Sequence, residues 1–221
     1  MKLLFNALAK LALGFVLLGA MLFWPAGTIA FPGAWLFLGL LFVPMLILGA
    51  VLLIKAPALL RKRLDHKEGE RAQRGVLAFA AVMFPATFIL SALDFRRGWS
   101  EVPIWLTLVG AALFLLGFLG YCEVLRENAY LSRTVTVQEG QRVIDTGLYG
   151  VVRHPMYLAT LLMFLPLPLI LGSYLALCPM AIYPLLLIVR IQNEERVLLA
   201  GLDGYADYRR RVRWRLVPLL Y

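Results

Sequence analysis

Residues 147–157, GLYGVVRHPMY, bring several side chains that bind polar ligands into eleven positions of a mostly apolar chain. Arg153 and His154 are adjacent, with a tyrosine on either side. A guanidinium holds a carboxylate or a phosphate through two parallel hydrogen bonds, and an imidazole changes its charge close to neutral pH. A simpler explanation covers part of the stretch, since Pro155 suits the first turn of a helix and Arg153 suits the end of a membrane span. It leaves the histidine and the tyrosines as candidates for one wall of a site.

Charged residues recur closer to the C-terminus. Glu194 and Glu195 are adjacent, and Arg190 lies four residues before Glu194, so these two would share a helix face. A run of arginines surrounds Arg211. Taken singly, the glutamates are explained by a solvated helix face and the arginines by contact with the membrane surface. Their occurrence together with 147–157, in the last hundred residues, favours a single site.

The amino-acid composition indicates whether the chain is surrounded by water or by lipid. Of its 221 residues, 62% are hydrophobic and 16% are charged, and the mean hydropathy is +0.80. A soluble domain has about 25% charged residues. The chain is therefore predicted to be an integral membrane protein. Cys122 and Cys178 have no metal-ligand spacing around them, so no metal site is predicted.

Apolar runs define the expected membrane spans, since a helix needs about 20 apolar residues to cross a bilayer. Four such runs occupy residues 3–24, 31–54, 76–93 and 103–121. The first resembles a signal peptide but is nearer span length, so we expect a retained span. A further 33 residues, 157–189, carry no charge, which is too long for one span, and Pro166, Pro168 and Gly172 offer a turn. We predict an all-α polytopic membrane protein with about six transmembrane helices, the last two forming a short hairpin.

The distribution of basic residues predicts the orientation. With six crossings, only Arg96 and Arg97 of the 22 Lys and Arg residues fall on the side opposite the termini. The positive-inside rule then places both termini in the cytoplasm, together with the segments 55–75 and 122–156. The net charge of +9 reflects this topology and contact with membrane lipids, and a nucleic-acid partner is not expected.

The chain divides into two parts by the position of its polar residues. Residues 1–121 form four spans with the basic cytoplasmic loop 55–75 and contain almost nothing that could do chemistry. Residues 122–221 contain a cytoplasmic segment, the helical hairpin 157–191 and a polar tail. The Thr-Val alternation at 134–137 predicts irregular or partly extended structure at the membrane surface. Any site is therefore expected in the second part.

The polar residues of this second part resemble a known family. The matching positions are Gly147-x-Tyr149-x-x-x-Arg153-His154-Pro155-x-Tyr157, Glu194-Glu195, Tyr205-x-x-Tyr208-x-x-x-Val212 and Leu216-x-Pro218. This ordered combination resembles the isoprenylcysteine carboxyl methyltransferases, membrane-embedded enzymes that use S-adenosylmethionine and are related more distantly to phospholipid and thiol methyltransferases. The resemblance covers residues 122–221. It implies a cytoplasmic cap that binds the cofactor and a lipophilic acceptor that enters from the bilayer.

The resemblance also implies roles for the 147–157 stretch. His154, Pro155 and Tyr157 should form the wall of the cofactor pocket, with Tyr149 nearby. A tyrosine face favours a sulfonium cation by about 0.5–2 kcal/mol. Many relatives carry histidine where this chain has Gln141, which can still donate and accept hydrogen bonds. No strand followed by a G-x-G-x-x-G turn is present in the sequence, so these residues would have to hold S-adenosylmethionine and its product S-adenosylhomocysteine.

The charged residues are expected to complete the site. Glu194 or Glu195 should accept hydrogen bonds from the cofactor, and we favour Glu194 because it shares a face with Arg190. Arg153 and Arg211 are the candidates to hold an anionic substrate head. Glu194, Arg153 and Arg211 are thus the expected catalytic residues. Methyl transfer to a carboxylate needs mainly alignment, which supplies roughly 7–11 kcal/mol in favourable cases, and exclusion of water.

Several questions stay open at this level. The acceptor can be the carboxylate of an isoprenylcysteine-like substrate, a phospholipid amine or a small thiol. The spacing from Glu195 to Tyr205 is about one residue shorter than in the eukaryotic enzymes, and the oligomeric state is undetermined. A small transporter is a competing class, but no ionisable side chain lies between Pro166 and Pro184, where a transporter would place one. A structural membrane protein is the other alternative.

Overall fold

The computed structural model of the protein describes residues 2–64, 71–128, 130–131 and 137–221, with the side chains of 62–63 and 71–74 excepted. Within these ranges every regular element is helical. The elements are α1 (Lys2–Ala26), α2 (Pro32–Lys55), α3 (Pro57–Leu64), α4 (Arg71–Arg97), α5 (Ile104–Glu127), the 3₁₀ helix Gly147–Gly150, α6 (Pro155–Phe164), α7 (Leu167–Ile170), α8 (Leu177–Met180), α9 (Tyr183–Gly201) and α10 (Tyr205–Arg211). The partly extended structure predicted at 134–137 lies mostly outside the described residues.

Four helices, α1, α2, α4 and α5, are long and apolar enough to cross a membrane. They coincide with the four predicted N-terminal spans. A chain in lipid must satisfy its backbone hydrogen bonds internally, which a helix does within one segment. Many large apolar side chains on these helices face outward, among them Phe5, Ile54 and Trp105. This exposure suits a surface covered by lipid. The all-helical membrane fold is confirmed.

The uncharged stretch 157–189 folds as a broken helical hairpin, as expected from its prolines. The first arm consists of α6 and α7, and the second of α8 and α9. Gly172 lies in the turn between them with φ +75°, a conformation that L side chains rarely adopt. The hairpin begins at Pro155, two residues before the predicted start, and α9 continues beyond the uncharged stretch to Gly201. The number of membrane crossings made by its arms stays a prediction.

The turn of this hairpin is attached to the end of α4 through a buried carboxylate. Asp94 accepts hydrogen bonds from the backbone N–H and the hydroxyl of Ser100, at 2.7 and 2.6 Å, and another from the hydroxyl of Ser173. The backbone N–H of Tyr174 in turn donates to the hydroxyl of Ser100 at 3.1 Å. The carboxylate therefore joins the N-terminal spans to the hairpin.

Glycines let α5 approach the hairpin closely. A Cβ atom at Gly117 would lie 2.6 Å from the carbonyl oxygen of Ala159 and 2.8 Å from Cγ of Met163, both on α6. One at Gly110 would lie 3.1 Å from Cγ1 of Ile170. Small residues at helix contacts are typical of membrane proteins, where close packing replaces the hydrophobic effect as the main attraction. This contact fixes α6 and its N-terminal end relative to α5.

The C-terminal tail folds back onto the start of α6. The backbone N–H of Arg153 donates to the carbonyl oxygen of Trp214, and that of His154 donates to the carbonyl oxygen of Arg215, both at 2.9 Å. A small apolar cluster supports this end of the molecule; it contains Leu202, Tyr205, Tyr208 and Val212, with Val137, Val143 and Leu198 packed against it. The tail and the 147–157 stretch thus form one unit.

Candidate functional site

The C-terminal tail and the 147–157 stretch together are called the C-terminal unit below. A cavity of about 470 Å³, the main cavity, lies where α4, α5, α6 and α9 meet this unit. Seven of the nine predicted site residues line it, namely Gln141, Tyr149, Arg153, His154, Pro155, Tyr157 and Glu194. Glu195 and Arg211 are not among its lining residues. The structure therefore brings the 147–157 stretch and Glu194 together around one cavity.

Tyr157 connects the two helices that flank the polar end of the cavity. Its hydroxyl donates to the carboxylate of Glu194 and accepts from Nε of Arg190 at 2.8 Å. The guanidinium carbon of Arg190 also lies 5.7 Å from the centre of the Tyr157 ring. Arg190 and Glu194 share one face of α9, as their spacing predicts. These three side chains place one cation, one anion and one hydroxyl at the same end of the cavity.

Glu195 lies on the other side of α9, in a buried ion cluster. Its Oε1 accepts from Nε of Arg153 at 2.7 Å and lies 3.3 Å from Nε2 of His154. Its Oε2 accepts from Nε of Arg215 at 3.1 Å. Burial alone would raise the pKa of this carboxyl, but His154 and Arg153 outweigh it and lower the pKa to about 2. Glu195 is therefore an ionised acceptor that holds the Arg-His pair in place.

Arg153 forms hydrogen bonds within this cluster through two of its guanidinium nitrogens. Besides the bond from Nε to Glu195, its Nη1 donates to the carbonyl oxygens of Val212 and Arg213, each at 2.8 Å. The side chain is only 4% exposed. These contacts hold the guanidinium against Glu195 and the tail. Arg153 borders the main cavity, but its main contacts are with Glu195 and the tail.

Arg211 lies at the end of α10, away from the main cavity. Its Nη2 donates to Asp145 at 2.7 Å, and the two side chains are 66% and 37% exposed. An exposed pair of this kind contributes about 0–1 kcal/mol to stability. The structure does not bring Arg211 to the other predicted site residues.

Tyr205 lines the main cavity and has a buried hydroxyl. The hydroxyl oxygen has no hydrogen-bond partner among the described residues. Burial raises the pKa of this hydroxyl, and the carboxylates of Glu195 and Glu194 add to the effect, so the hydroxyl stays protonated. By contrast, the neighbouring Tyr208 donates to the carbonyl oxygen of Tyr149 at 2.8 Å.

Part of the cavity lining is apolar or aromatic. These residues come from α4, α5 and α9 and are Val76, Leu77, Ala80, Tyr121, Leu186 and Leu187. Leu77 is 44% exposed on a helix that is long and apolar enough to cross a membrane. The main cavity therefore has both charged and apolar lining residues, and one of the apolar residues is also exposed on the outside of α4.

This architecture has a solved counterpart. The structure of the eukaryotic intramembrane Ras methyltransferase ICMT, isoprenylcysteine carboxyl methyltransferase, matches with a TM-score of 0.56 over 97% of this chain and 77% of that chain, at 18% identity. At that identity the likeness establishes the fold. In sequence, residues 105–202 match the profile of the phospholipid methyltransferase family (PEMT). This part of the chain is therefore similar in sequence to the phospholipid methyltransferases, and the whole chain shares the fold of a membrane methyltransferase. The profile match includes the 147–157 stretch and the whole hairpin from α6 to α9.

Individual relatives differ in their named activities. Methanethiol S-methyltransferase 2 of Bradyrhizobium diazoefficiens is 32% identical over 154 residues, which cover 62% of this chain and 58% of that protein. Delta(14)-sterol reductase of Methylotuvimicrobium alcaliphilum is 24% identical over 155 residues, which cover 63% of this chain and 36% of that protein. The match thus spans just over half of the first relative and about a third of the second. The comparisons therefore give the fold and leave the acceptor open.

Three residues line the main cavity without a site role predicted from the sequence, namely Arg190, Tyr205 and Asn128. Arg190 is predicted only to share a helix face with Glu194, and Tyr205 belongs to the motif that carries the family resemblance. Asn128 donates from Nδ2 to the hydroxyl of Tyr149 at 2.8 Å. The motif could have identified Tyr205, but nothing in the local sequence marks Asn128, which is the residue directly after α5.

Proposed function

We propose that the protein is an integral membrane methyltransferase that uses S-adenosylmethionine to methylate a lipophilic acceptor. The acceptor that we favour is the carboxylate of an isoprenylcysteine-like molecule. The observation that carries the proposal is the main cavity, whose lining combines Glu194, Tyr157 and Arg190 with apolar residues of α4, α5 and α9. A polar cofactor and a lipophilic acceptor can meet in such a cavity.

The residues of the main cavity fit the proposed cofactor. Its volume of about 470 Å³ lies within the roughly 300–1,000 Å³ that is typical of pockets for organic ligands. The carboxylate of Glu194 offers an acceptor to a molecule that has amino and hydroxyl groups. Tyr205 lines the same cavity, and its buried hydroxyl has no partner among the described residues. S-Adenosylmethionine would supply an activated methyl group on a sulfonium centre. Glu194 would accept hydrogen bonds from it, beside a wall of His154, Pro155 and Tyr157.

Three further residues have supporting parts in this proposal. Gln141 and Tyr149 line the same cavity and extend the cofactor wall. Glu195 faces away from it and holds His154 and Arg153 from behind. We therefore propose Glu194 as the carboxylate that touches the cofactor and Glu195 as the one that positions the wall.

An anionic acceptor head needs a cation at the cavity. Arg153 and Arg211 were the expected partners, and both remain candidates for this role. Arg190 has the more suitable position, because it lines the main cavity next to Glu194 and Tyr157. We propose that Arg190 holds the acceptor carboxylate, with Arg153 fixing the wall behind it. A guanidinium suits this task because it binds a carboxylate with two parallel hydrogen bonds.

Methylation of a thiol is the second candidate. It is favoured by the 32% identity to methanethiol S-methyltransferase 2. A phospholipid amine remains a third acceptor, in keeping with the name of the matched profile. In each case the cofactor site would face the cytoplasm, because the positive-inside rule assigns the C-terminal unit to that side.

The test has two stages. Calorimetry on the purified chain in detergent with S-adenosylhomocysteine should give one saturable site, while NADPH, the control suggested by the sterol reductase relative, should give none. Membranes containing the protein are then supplied with S-adenosylmethionine labelled in its methyl group, and the labelled product is identified. If the labelled product is a base-labile methyl ester, the acceptor is a carboxylate, as proposed. If it is a thioether, the acceptor is a thiol, and if it is an N-methyl lipid, the acceptor is a phospholipid amine. Absence of S-adenosylhomocysteine binding would overturn the proposal and leave a transporter or a structural protein.

A further inference from the structure

A second, smaller cavity lies on the opposite face of α9. This outer cavity has a volume of about 240 Å³ and is lined by Gln192, Glu195, Arg196, Leu199, Arg209 and Arg215. Gln192, Arg196 and Leu199 are four and then three residues apart, so they share a helix face. Arg190 and Glu194 occupy the face that borders the main cavity. Helix α9 therefore separates two cavities of different composition.

The outer cavity has an excess of positive charge. It contains three guanidinium groups and one carboxylate, that of Glu195. This carboxylate is already shared between Arg153 and Arg215 inside the protein. Within the described part of the chain, Arg196 and Arg209 form no ion pair or hydrogen bond through their side chains. Among the described residues, these two guanidiniums therefore border one small cavity without an ion pair of their own, an arrangement that favours an anionic ligand.

Exposed apolar side chains accompany the arginines of this cavity. Leu199, one of its lining residues, is 42% exposed, and the tail that provides Arg215 also contains Leu219 and Leu220, which are 85% and 81% exposed. Apolar side chains beside arginines are typical of surfaces that lie in the headgroup region of a bilayer. This combination favours a lipid headgroup as the source of the anion.

We propose that the outer cavity binds the phosphate group of an anionic lipid headgroup. Arginine is well suited to phosphate because its planar guanidinium donates two hydrogen bonds in parallel. The cavity is smaller than the roughly 300–1,000 Å³ of pockets that enclose an organic ligand, so it accommodates a headgroup while the acyl chains remain outside. This site is distinct from the proposed methyl-transfer site and does not depend on its activity.

The experiment uses the full chain, delipidated in a detergent with an uncharged headgroup. Native mass spectrometry counts bound phosphatidylglycerol, and a thermal-shift titration gives its apparent affinity. Phosphatidylcholine and inorganic phosphate are titrated in parallel. The variants are Arg196→Gln and Arg209→Gln, alone and combined. Arg210→Gln is the matched control, because Arg210 is 79% exposed on the same helix as Arg209, pairs with Asp207 and does not line the cavity.

We expect one phosphatidylglycerol to bind more tightly than phosphatidylcholine. Each single variant should weaken it by about tenfold, the loss of one charge-assisted contact, while the control retains wild-type affinity. Equal weakening by Arg210→Gln would mean a diffuse attraction to the basic surface and would overturn the site. Equal binding of phosphatidylcholine would also overturn it. If inorganic phosphate binds as tightly as the lipid, the ligand of this cavity is a free phosphate ion and not a lipid headgroup. The melting temperatures of the delipidated variants are measured as well. If they equal that of the wild type, the variants are folded and the weaker lipid binding comes from the missing guanidinium.

Discussion

Glu194 and Glu195 are adjacent on α9, yet the same substitution should weaken ligand binding at one position and lower protein stability at the other. Glu194→Gln changes a carboxylate at the main cavity, whereas Glu195→Gln changes one inside the buried cluster of Arg153, His154 and Arg215. The two variants have the same change in size and charge at neighbouring positions. Each one is therefore the matched control for the other. We expect Glu194→Gln to weaken S-adenosylhomocysteine binding and Glu195→Gln to lower stability.

The size of each effect follows from the contacts. A pKa of about 2 for Glu195, against an ordinary 4.5, corresponds to about 3 kcal/mol of stabilisation at neutral pH. Breaking a buried ion pair costs about 3–5 kcal/mol, which agrees with this value. For a chain of this length, about 3 kcal/mol lowers the melting temperature by roughly 6–12 °C. At Glu194, the loss of charge from a hydrogen bond to the cofactor costs about 1.5–3 kcal/mol, or ten- to a hundredfold in affinity.

The pH dependence provides a separate check on Glu195. Because its pKa is lowered in the folded protein, the ionised carboxylate is the stabilising form. Its contribution is complete above about pH 4.5 and is lost as the pH falls towards 2. The difference in melting temperature between the wild type and Glu195→Gln should therefore narrow across this window.

Thermal denaturation and calorimetry with S-adenosylhomocysteine, both in detergent, measure the two effects on the same preparations. Glu195→Gln should change the affinity less than Glu194→Gln does. If Glu195→Gln instead weakens binding as much as Glu194→Gln and leaves the melting temperature unchanged, the roles of the two carboxylates have been assigned in reverse.

Three other substitutions test the rest of the site. His154→Ala should weaken S-adenosylhomocysteine binding by about tenfold through loss of the cofactor wall, measured by calorimetry; unchanged affinity would remove this residue from the site. Arg190→Ala should reduce methylation of the acceptor far more than Arg211→Ala does, because of the two arginines only Arg190 lines the main cavity. A larger loss of methylation in Arg211→Ala would restore Arg211 as the substrate-binding residue. Gly117→Ala should push α5 away from α6 and lower the melting temperature, at a cost of about 1–3 kcal/mol in stability. Gly120→Ala is its control in the same thermal scan. The added Cβ there would lie 3.7 Å from Ala159, an ordinary contact, so little effect is expected.

Much of the fold is contained in simple sequence patterns. The four long spans could be predicted because each needs about 20 apolar residues and nothing else. The hairpin could be predicted because 33 uncharged residues exceed one span and contain prolines and Gly172. The start of α6 at Pro155 follows from the tolerance of proline in the first turn of a helix. These features depend on local composition, and the structure agrees with them.

Contacts between distant residues could not be predicted in this way. Helical spacing correctly separates the faces of Glu194 and Glu195, but the partners of Glu195 are distant in sequence. Arg153 lies 42 residues before it, and Arg215 lies 20 residues after it in a tail without regular structure. Arg211 is the last residue of α10, so its direction depends on how that short helix docks, which a motif does not specify. The unpaired hydroxyl of Tyr205 likewise becomes visible only when its neighbours are placed.

Helix α9 explains why so many charged residues lie within a short segment of an apolar chain. Its cavity face presents Arg190 and Glu194 to the proposed reaction, and its opposite face presents Glu195 to the cluster that fixes His154. A buried ionised group is costly unless it is paired, and Glu195 is paired with Arg153 and, from the returning tail, with Arg215. The tail is thus a requirement of the site, although it contributes little to the main cavity. Substitutions in it should therefore change the cofactor wall through Glu195.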